Sequence, residues 1–216
     1  PGSKLAEYLN AVVTAGERGR DVVAKMLAFS RAAPSGQSQA IEPVAVAREV
    51  AHLLSTIIPS SIEFKLEVRE PVPPIAMDAV DLHQVLVNLV VNARDAVDSH
   101  GHIVIHADVD GDGPHTMTLW VSDTGSGIAE EVLPNVFDPW FRGTREARGL
   151  GLGLSIVRSL VAQLGGTAEI KSEKGRGTRA TVHIPVKVLD QQPHRPLSGS
   201  ASLSGLHVLV VDDEDS

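Results

Sequence analysis

The 216-residue chain contains no cysteine, which excludes disulfides and thiolate metal sites and suits a reducing compartment. It has no excess of positive charge: 27 acidic residues stand against 19 lysines and arginines, a formal net charge of -8. That balance argues against nucleic-acid binding, which a basic face usually marks. Long hydrophobic runs are missing as well. Stretches such as "VLVNLVVNA" fall well short of the roughly 20 apolar residues of a membrane-spanning helix. No basic-then-apolar leader pattern opens the sequence, and a cytoplasmic location is the expectation. What is present is 43% hydrophobic and 21% charged, proportions of a globular chain with one or two domains and a real core.

Periodicity divides the chain into four stretches. Leu5, Leu9, Val12, Gly16, Gly19, Val23, Met26 and Ser30 alternate spacings of four and three, a heptad seam. It predicts a helix within residues 1–36 whose apolar stripe is covered by a partner helix from this or another chain, or else by its own globular domain, and "RAAPSGQSQ" ends it. Residues 41–188 read as mixed α/β. "EPVAVAREVAHLLSTII" is a helix stopping at Pro59, "SIEFKLEV" a half-buried strand, and "DAVDLHQVLVNLVVNARDAVDSH" a long amphipathic helix. "HIVIHADV" and "TMTLWVSD" form one strand pair around "DGDGPH", and "TAEIKSE" and "RATVHIPV" a second around "KGRGT". Residues 189–205 are a polar, proline- and serine-rich linker, and 206–216 a short apolar strand running into acids.

Four motifs carry chemistry. "GLGLGL" sets Gly149, Gly151 and Gly153 at spacing two before the helix "SIVRSLVAQL". Glycines let a ligand approach the backbone, and a helix start adds unpaired N–H donors, so the stretch suits phosphate or else a tight turn. Asn88 and Asn92 lie four apart on one helix face, where their amides either bond neighbouring loops or offer oxygens to a hard cation. In "VSDTGSGI" a strand delivers Asp123 to a turn with Gly125 and Gly127. It is a turn residue, or an acceptor-only carboxylate that takes the amino group of adenine and rejects the carbonyl of guanine. In "NVFDPWFRGTREAR", Phe137, Trp140 and Phe141 surround Pro139, and Arg142, Arg145 and Arg148 follow, an arrangement suited to a hinged lid or to a solvated loop.

In this order, "NLVVNARDA", "DTGSGI", "FDPWF", "GLGLGL" and "GRGTRATVHIP" resemble the N box, first glycine box, F box, second glycine box and last glycine-threonine box of sensor histidine kinases. The resemblance implies a two-layer α/β sandwich, the Bergerat ATP-binding fold shared with gyrase and MutL, preceded by a long dimerisation helix. "RGRDVVAKMLAFSRA" resembles the second helix of the dimerisation and phosphoacceptor hairpin, through which a homodimer would form. "HVLVVDDED" resembles the first strand of a receiver domain with Asp212 and Asp213 as its acidic pair, which would make the parent a hybrid kinase.

Carried over residue by residue, the resemblance implies ATP and Mg²⁺ as ligands. Asn92 would hold the metal, with Asn88 at the phosphate end. Asp123 would accept from the adenine amino group beside Ala96, Gly125, Gly127, Ile128 and Thr178. Gly149, Gly151, Leu152, Gly153 and Leu154 would offer the backbone to the phosphates. Two positions depart from the family pattern. Asp95 stands where many relatives have a lysine, so Arg94 or lid arginines such as Arg142 would supply positive charge. Leu150 stands where a threonine is common.

No histidine is followed by an acid and then asparagine-proline, the phosphoacceptor context. His83 comes nearest to the nucleotide motif, five residues before Asn88, yet about 140° round the helix. The expectation is therefore part of a larger kinase that binds ATP, passes the γ-phosphoryl group to a histidine outside this chain, and serves a receiver domain or response regulator. A gyrase-type hydrolase is disfavoured because Asn88 occupies the place of its water-activating glutamate. A nucleotide-binding module without turnover is the remaining alternative.

Overall fold

The alternation seen in the sequence becomes one face of a sheet. β4 (Gly101–Val109) and β5 (Thr116–Asp123) pair antiparallel and turn Ile103, Ile105, Ala107, Val109, Met117, Leu119, Val121 and Asp123 to the buried side. The computed structural model describes residues 39–68, 71–110, 114–142 and 150–189. The expected N-terminal helix of residues 1–36, most of the linker and the strand at 206–216 lie outside them.

β7 (Gly177–Pro185) joins the free side of β5, and β6 (Thr167–Glu173) pairs with β7. β2 (Ile62–Val68) lies parallel to β4, completing the order β2-β4-β5-β7-β6. Parallel neighbours need a crossover, and helix α2 (Ala79–Ala96) supplies it. α2 buries Leu82, Val85, Leu86, Leu89, Val90 and Ala93 in one core with the inward sheet residues. α1 (Pro43–Ser55) and α3 (Gly153–Gln163) contribute Val50, Leu54, Ile156 and Val157 to the same core. The result is the expected two-layer α/β sandwich.

Three short strands were not expected. β1 (Gln39–Ile41), β3 (Ile75–Met77) and β8 (Lys187–Val188) form an antiparallel sheet in the order β1-β3-β8. Asp78 follows β3 and caps α2, its carboxylate accepting the Val80 N–H at 2.8 Å. Two helices are shorter than the sequence suggested. α1 ends at Ser55 rather than near Pro59: the Ile57 and Ile58 N–H groups both turn back to the Leu54 carbonyl, at 3.0 and 3.1 Å, and the Ser55 and Thr56 hydroxyls donate to the His52 and Leu53 carbonyls at 2.7 and 2.8 Å. α2 ends at Ala96 rather than at His100. Val97 turns extended, and the Ala96 carbonyl accepts the Ser126 N–H at 3.0 Å, tying the helix end to the loop after β5.

Candidate nucleotide site

β5 ends at Asp123 on its buried face, only 7% exposed. The Gly125 N–H donates to its Oδ1 at 2.8 Å. Burial pushes the carboxyl up to about 6, against the opposing pull of the Gly125 and Thr178 backbone groups. The loop that follows is wedged between two elements. A Cβ on Gly125 would strike the Ala96 carbonyl, and one on Gly127, at φ 63°, would strike the Glu173 carbonyl. Both glycines are therefore required by close approach, whatever else they do. The Gly175 N–H donates to the Ser126 carbonyl at 2.7 Å and fixes the β6–β7 turn against this loop.

Thr178 stands directly opposite Asp123 across β5 and β7. Its hydroxyl lies 2.9 Å from Ser172 Oγ, which also accepts the Ile128 N–H at 2.8 Å and donates to the Gly177 carbonyl at 2.9 Å. Sequence reasoning did not single out Ser172. The signal was its alternation in β6, which becomes informative only once Ser172 is registered against Thr178.

The second half of the site lies on α2 and at the start of α3. The Asn88 Nδ2 donates to the Gln84 carbonyl at 2.8 Å, one turn back in the same helix. Asn92 faces Gly153: a Cβ there would sit 2.6 Å from Asn92 Oδ1 and 2.8 Å from Nδ2. The Asn92 Nδ2 is buried with no hydrogen-bond partner, alone in this among the side-chain nitrogens and oxygens of the described residues. Leaving such a group unmatched costs about 1–3 kcal/mol, so the position calls for a partner the protein does not supply. The amide's two ends differ only in bonding, and a half-turn would set its oxygen there.

α3 begins at Gly153 with no side-chain cap on its N-terminus, leaving its first N–H groups without that partner. Gly151, at φ 71°, lets the chain pass against the Phe141 carbonyl, where a Cβ would not fit. Leu152 and Leu154 pack on the core, and the Leu152 carbonyl accepts from Ile156 N–H and from Ser155 Oγ. The aromatic stretch is held to α3 by Arg158, whose guanidinium lies 5.7 Å from the Phe137 ring centre and 3.9 Å from the Asp138 carboxylate.

Of the expected cations, Arg142 is exposed, while the Arg94 guanidinium pairs with Asp95 at 2.6 Å. The carboxylate that replaces the family's usual lysine thus engages the arginine expected to compensate for it. Gly149, Arg145 and Arg148 lie outside the described residues. The arrangement has two ends: a buried carboxylate beside two glycines, and an unmatched amide beside an uncapped helix start. A ligand with a donor-bearing base at one end and an anion with its cation at the other fits both.

Residues 77–188, which include every expected ligand contact from Asn88 to Thr178, match the family described as histidine kinase-, DNA gyrase B-, and HSP90-like ATPase. The chain belongs to this ATPase family. Its domain is of the histidine-kinase ATP-binding type, as the relatives indicate. It is 32% identical over 220 residues to the sensor kinase CckA of Brucella abortus, covering 92% of this chain and 23% of that protein. It is 35% identical over 176 residues to the sensor histidine kinase RcsC of Escherichia coli K12, covering 76% of this chain and 18% of that protein.

Among solved structures, full-length ShkA in complex with AMPPNP matches with a TM-score of 0.72 and 28% identity, over 87% of this chain and 40% of that one. Histidine kinase ThkA in complex with the response regulator TrrA matches with a TM-score of 0.67 and 25% identity, over 87% and 53%. The chain spans about a quarter or less of the two curated relatives, 23% and 18% of their lengths. No helix among the described residues is long and apolar enough to cross a membrane.

Proposed function

We propose that this chain binds Mg·ATP and positions its γ-phosphoryl group for transfer to a histidine of a longer sensor kinase. The observation that carries the reading is the buried, partnerless amide of Asn92 against the uncapped start of α3. Asn92 would hold Mg²⁺ through its carboxamide oxygen, with Asn88 beside the phosphates. Bound there, the cation would neutralise phosphate charge. Backbone N–H groups from Gly151 to Leu154 would take phosphate oxygens, and Gly149 and Arg142 belong to the same end. Asp123 would accept from the adenine amino group, with Ala96, Gly125, Gly127, Ile128 and Thr178 around the base.

Positioning and electrostatics supply most of the catalysis in such a transfer. Asn88 cannot act as a base, so the carboxylate that activates water in a hydrolase is missing at that place, which disfavours hydrolysis of the bound ATP. In the parent protein we place a homodimer formed through residues 1–36, a receiver or response regulator as partner, and a cytoplasmic location. A response regulator bound to the similar kinase ThkA supports that partner.

The test is calorimetry with ATP, with and without Mg²⁺, followed by γ-labelled ATP and a separate histidine-bearing hairpin. Binding with transfer of acid-labile label to the hairpin is expected. Tight binding without any transfer would favour the non-catalytic module, and no binding would overturn the reading.

A further inference from the structure

Ser172 Oγ makes three short contacts and owns one proton. It lies 2.8 Å from the Ile128 N–H, 2.9 Å from the Gly177 carbonyl oxygen and 2.9 Å from Thr178 Oγ1. The first contact can only be accepted by Ser172, because an amide N–H only donates. The second can only be donated by Ser172, because a carbonyl only accepts. Its proton is then spent. The third contact is a hydrogen bond only if Thr178 donates, and a single arrangement of protons satisfies all three.

From this we infer that Ser172 is a specificity-determining positioning residue: it holds the Thr178 hydroxyl as an acceptor toward the base site. The inference rests on the ATP-binding reading above and goes on to say what enforces the choice of base. Thr178 and Asp123 are directly opposed across β5 and β7. Such a pair has Cβ atoms about 4.5–5.5 Å apart, close enough to bracket one exocyclic group. With the Thr178 proton committed to Ser172, both side chains face that group with lone pairs alone. An amino group matches this and a carbonyl oxygen does not. A water donating to both acceptors would have only lone pairs left, so the preference for a donor survives its insertion.

The same hydroxyl fixes the Ile128 N–H, and Gly177 sits where a Cβ would strike the Asp123 carbonyl. The relay is therefore held in place from both sides. Ser172 touches neither end of the proposed ligand; it acts through Thr178.

The experiment compares ATP with inosine triphosphate, which carries oxygen in place of the 6-amino group and a proton on N1, on the 216-residue chain. The wild type is expected to prefer ATP by at least about tenfold. In Ser172→Ala the Thr178 proton is free to turn toward the base. ATP should weaken severalfold while inosine triphosphate tightens, narrowing the ratio by about tenfold. In a Thr178→Val background the same Ser172→Ala change should leave the ratio unmoved. Equal weakening of both nucleotides by Ser172→Ala, or a ratio change that persists without the Thr178 hydroxyl, would overturn the assignment.

If Ser172→Ala does not fold, Thr178→Val alone decides. A narrowed preference for ATP over inosine triphosphate supports an acceptor facing the 6-position, and a widened preference overturns it. A wild type without ATP preference would instead remove the base-site reading, and this relay with it.

Discussion

Asn92 and Gly153, sixty-one positions apart in sequence, meet so closely that a methyl group on the glycine would lie 2.6 Å from the Asn92 amide oxygen. The conflict is with the end of a side chain rather than with backbone, so the fold can yield there while the ligand space cannot. Gly153→Ala is therefore expected to keep its thermal midpoint within a few degrees of wild type. Its Mg·ATP affinity should fall by about tenfold or more. Calorimetry beside a thermal melt checks this, and unchanged affinity would place the phosphates elsewhere.

Removing the amide itself makes a complementary prediction. Asn92 leaves a buried donor unmatched, and alanine removes that penalty while improving helix propensity by a few tenths of a kcal/mol. Asn92→Ala should be as stable as wild type or more so. It should nonetheless bind Mg·ATP about tenfold more weakly, with a smaller loss for ATP in excess chelator. Equal losses with and without metal would reassign Asn92 from cation ligand to phosphate donor. A lowered melting temperature would show that the amide has a structural partner.

Trp140 has φ 65° and is 61% exposed. A bulky residue in the left-handed region costs about 1–3 kcal/mol, and a ring this exposed recovers little by burial. Glycine adopts that φ freely but gains entropy in the unfolded chain, which takes back about 0.5–1 kcal/mol. Trp140→Gly is thus expected to stabilise the domain by about 1 kcal/mol. The urea midpoint should rise with no change in slope. A lower midpoint would mean that the indole packs against neighbouring chain in solution.

The long elements were legible in the sequence because their periods are local. Ile103, Ile105 and Ala107 alternate within one strand, and Leu82, Val85, Leu86 and Leu89 repeat within one helix. The strands β1, β3 and β8, of three, three and two residues, are too short to show a period, and only pairing with distant residues defines them. The parallel pairing of β2 with β4 is likewise a non-local fact. At the site, Asn92, Asp123 and the glycines stood out by residue type and order. The Asn92–Gly153 contact and the Ser172 relay did not, because each depends on packing between separate elements. The ends of α1 and α2 were placed too late, since the chain turns back on the Leu54 carbonyl at the first and a neighbouring loop takes the Ala96 carbonyl at the second.

Asp123 sets stability against binding, and pH separates the two. Its carboxyl is raised from 3.8 to about 6, chiefly by burial. Between those values the folded protein keeps a proton that the unfolded chain has lost. The contribution to stability is therefore complete below pH 3.8 and is lost as pH rises through about 6. At about 1.4 kcal/mol per pH unit the loss amounts to roughly 3 kcal/mol by neutral pH. Asn avoids that cost and can still turn its oxygen to the Gly125 N–H. Asp123→Asn should thus be more stable than wild type at pH 7 by about 1–3 kcal/mol, with the gain vanishing toward pH 4. Binding runs the other way, because the ionised carboxylate is the better acceptor for an amino group. ATP affinity of the wild type should fall as pH drops through about 6. The variant should bind about tenfold or more weakly at pH 7, and its pH profile should show only the nucleotide's own titration. Urea unfolding and calorimetry at pH 5, 6 and 7 on both proteins measure the two trends together. A variant less stable than wild type at pH 7 would show that the Asp123 charge is compensated within the fold.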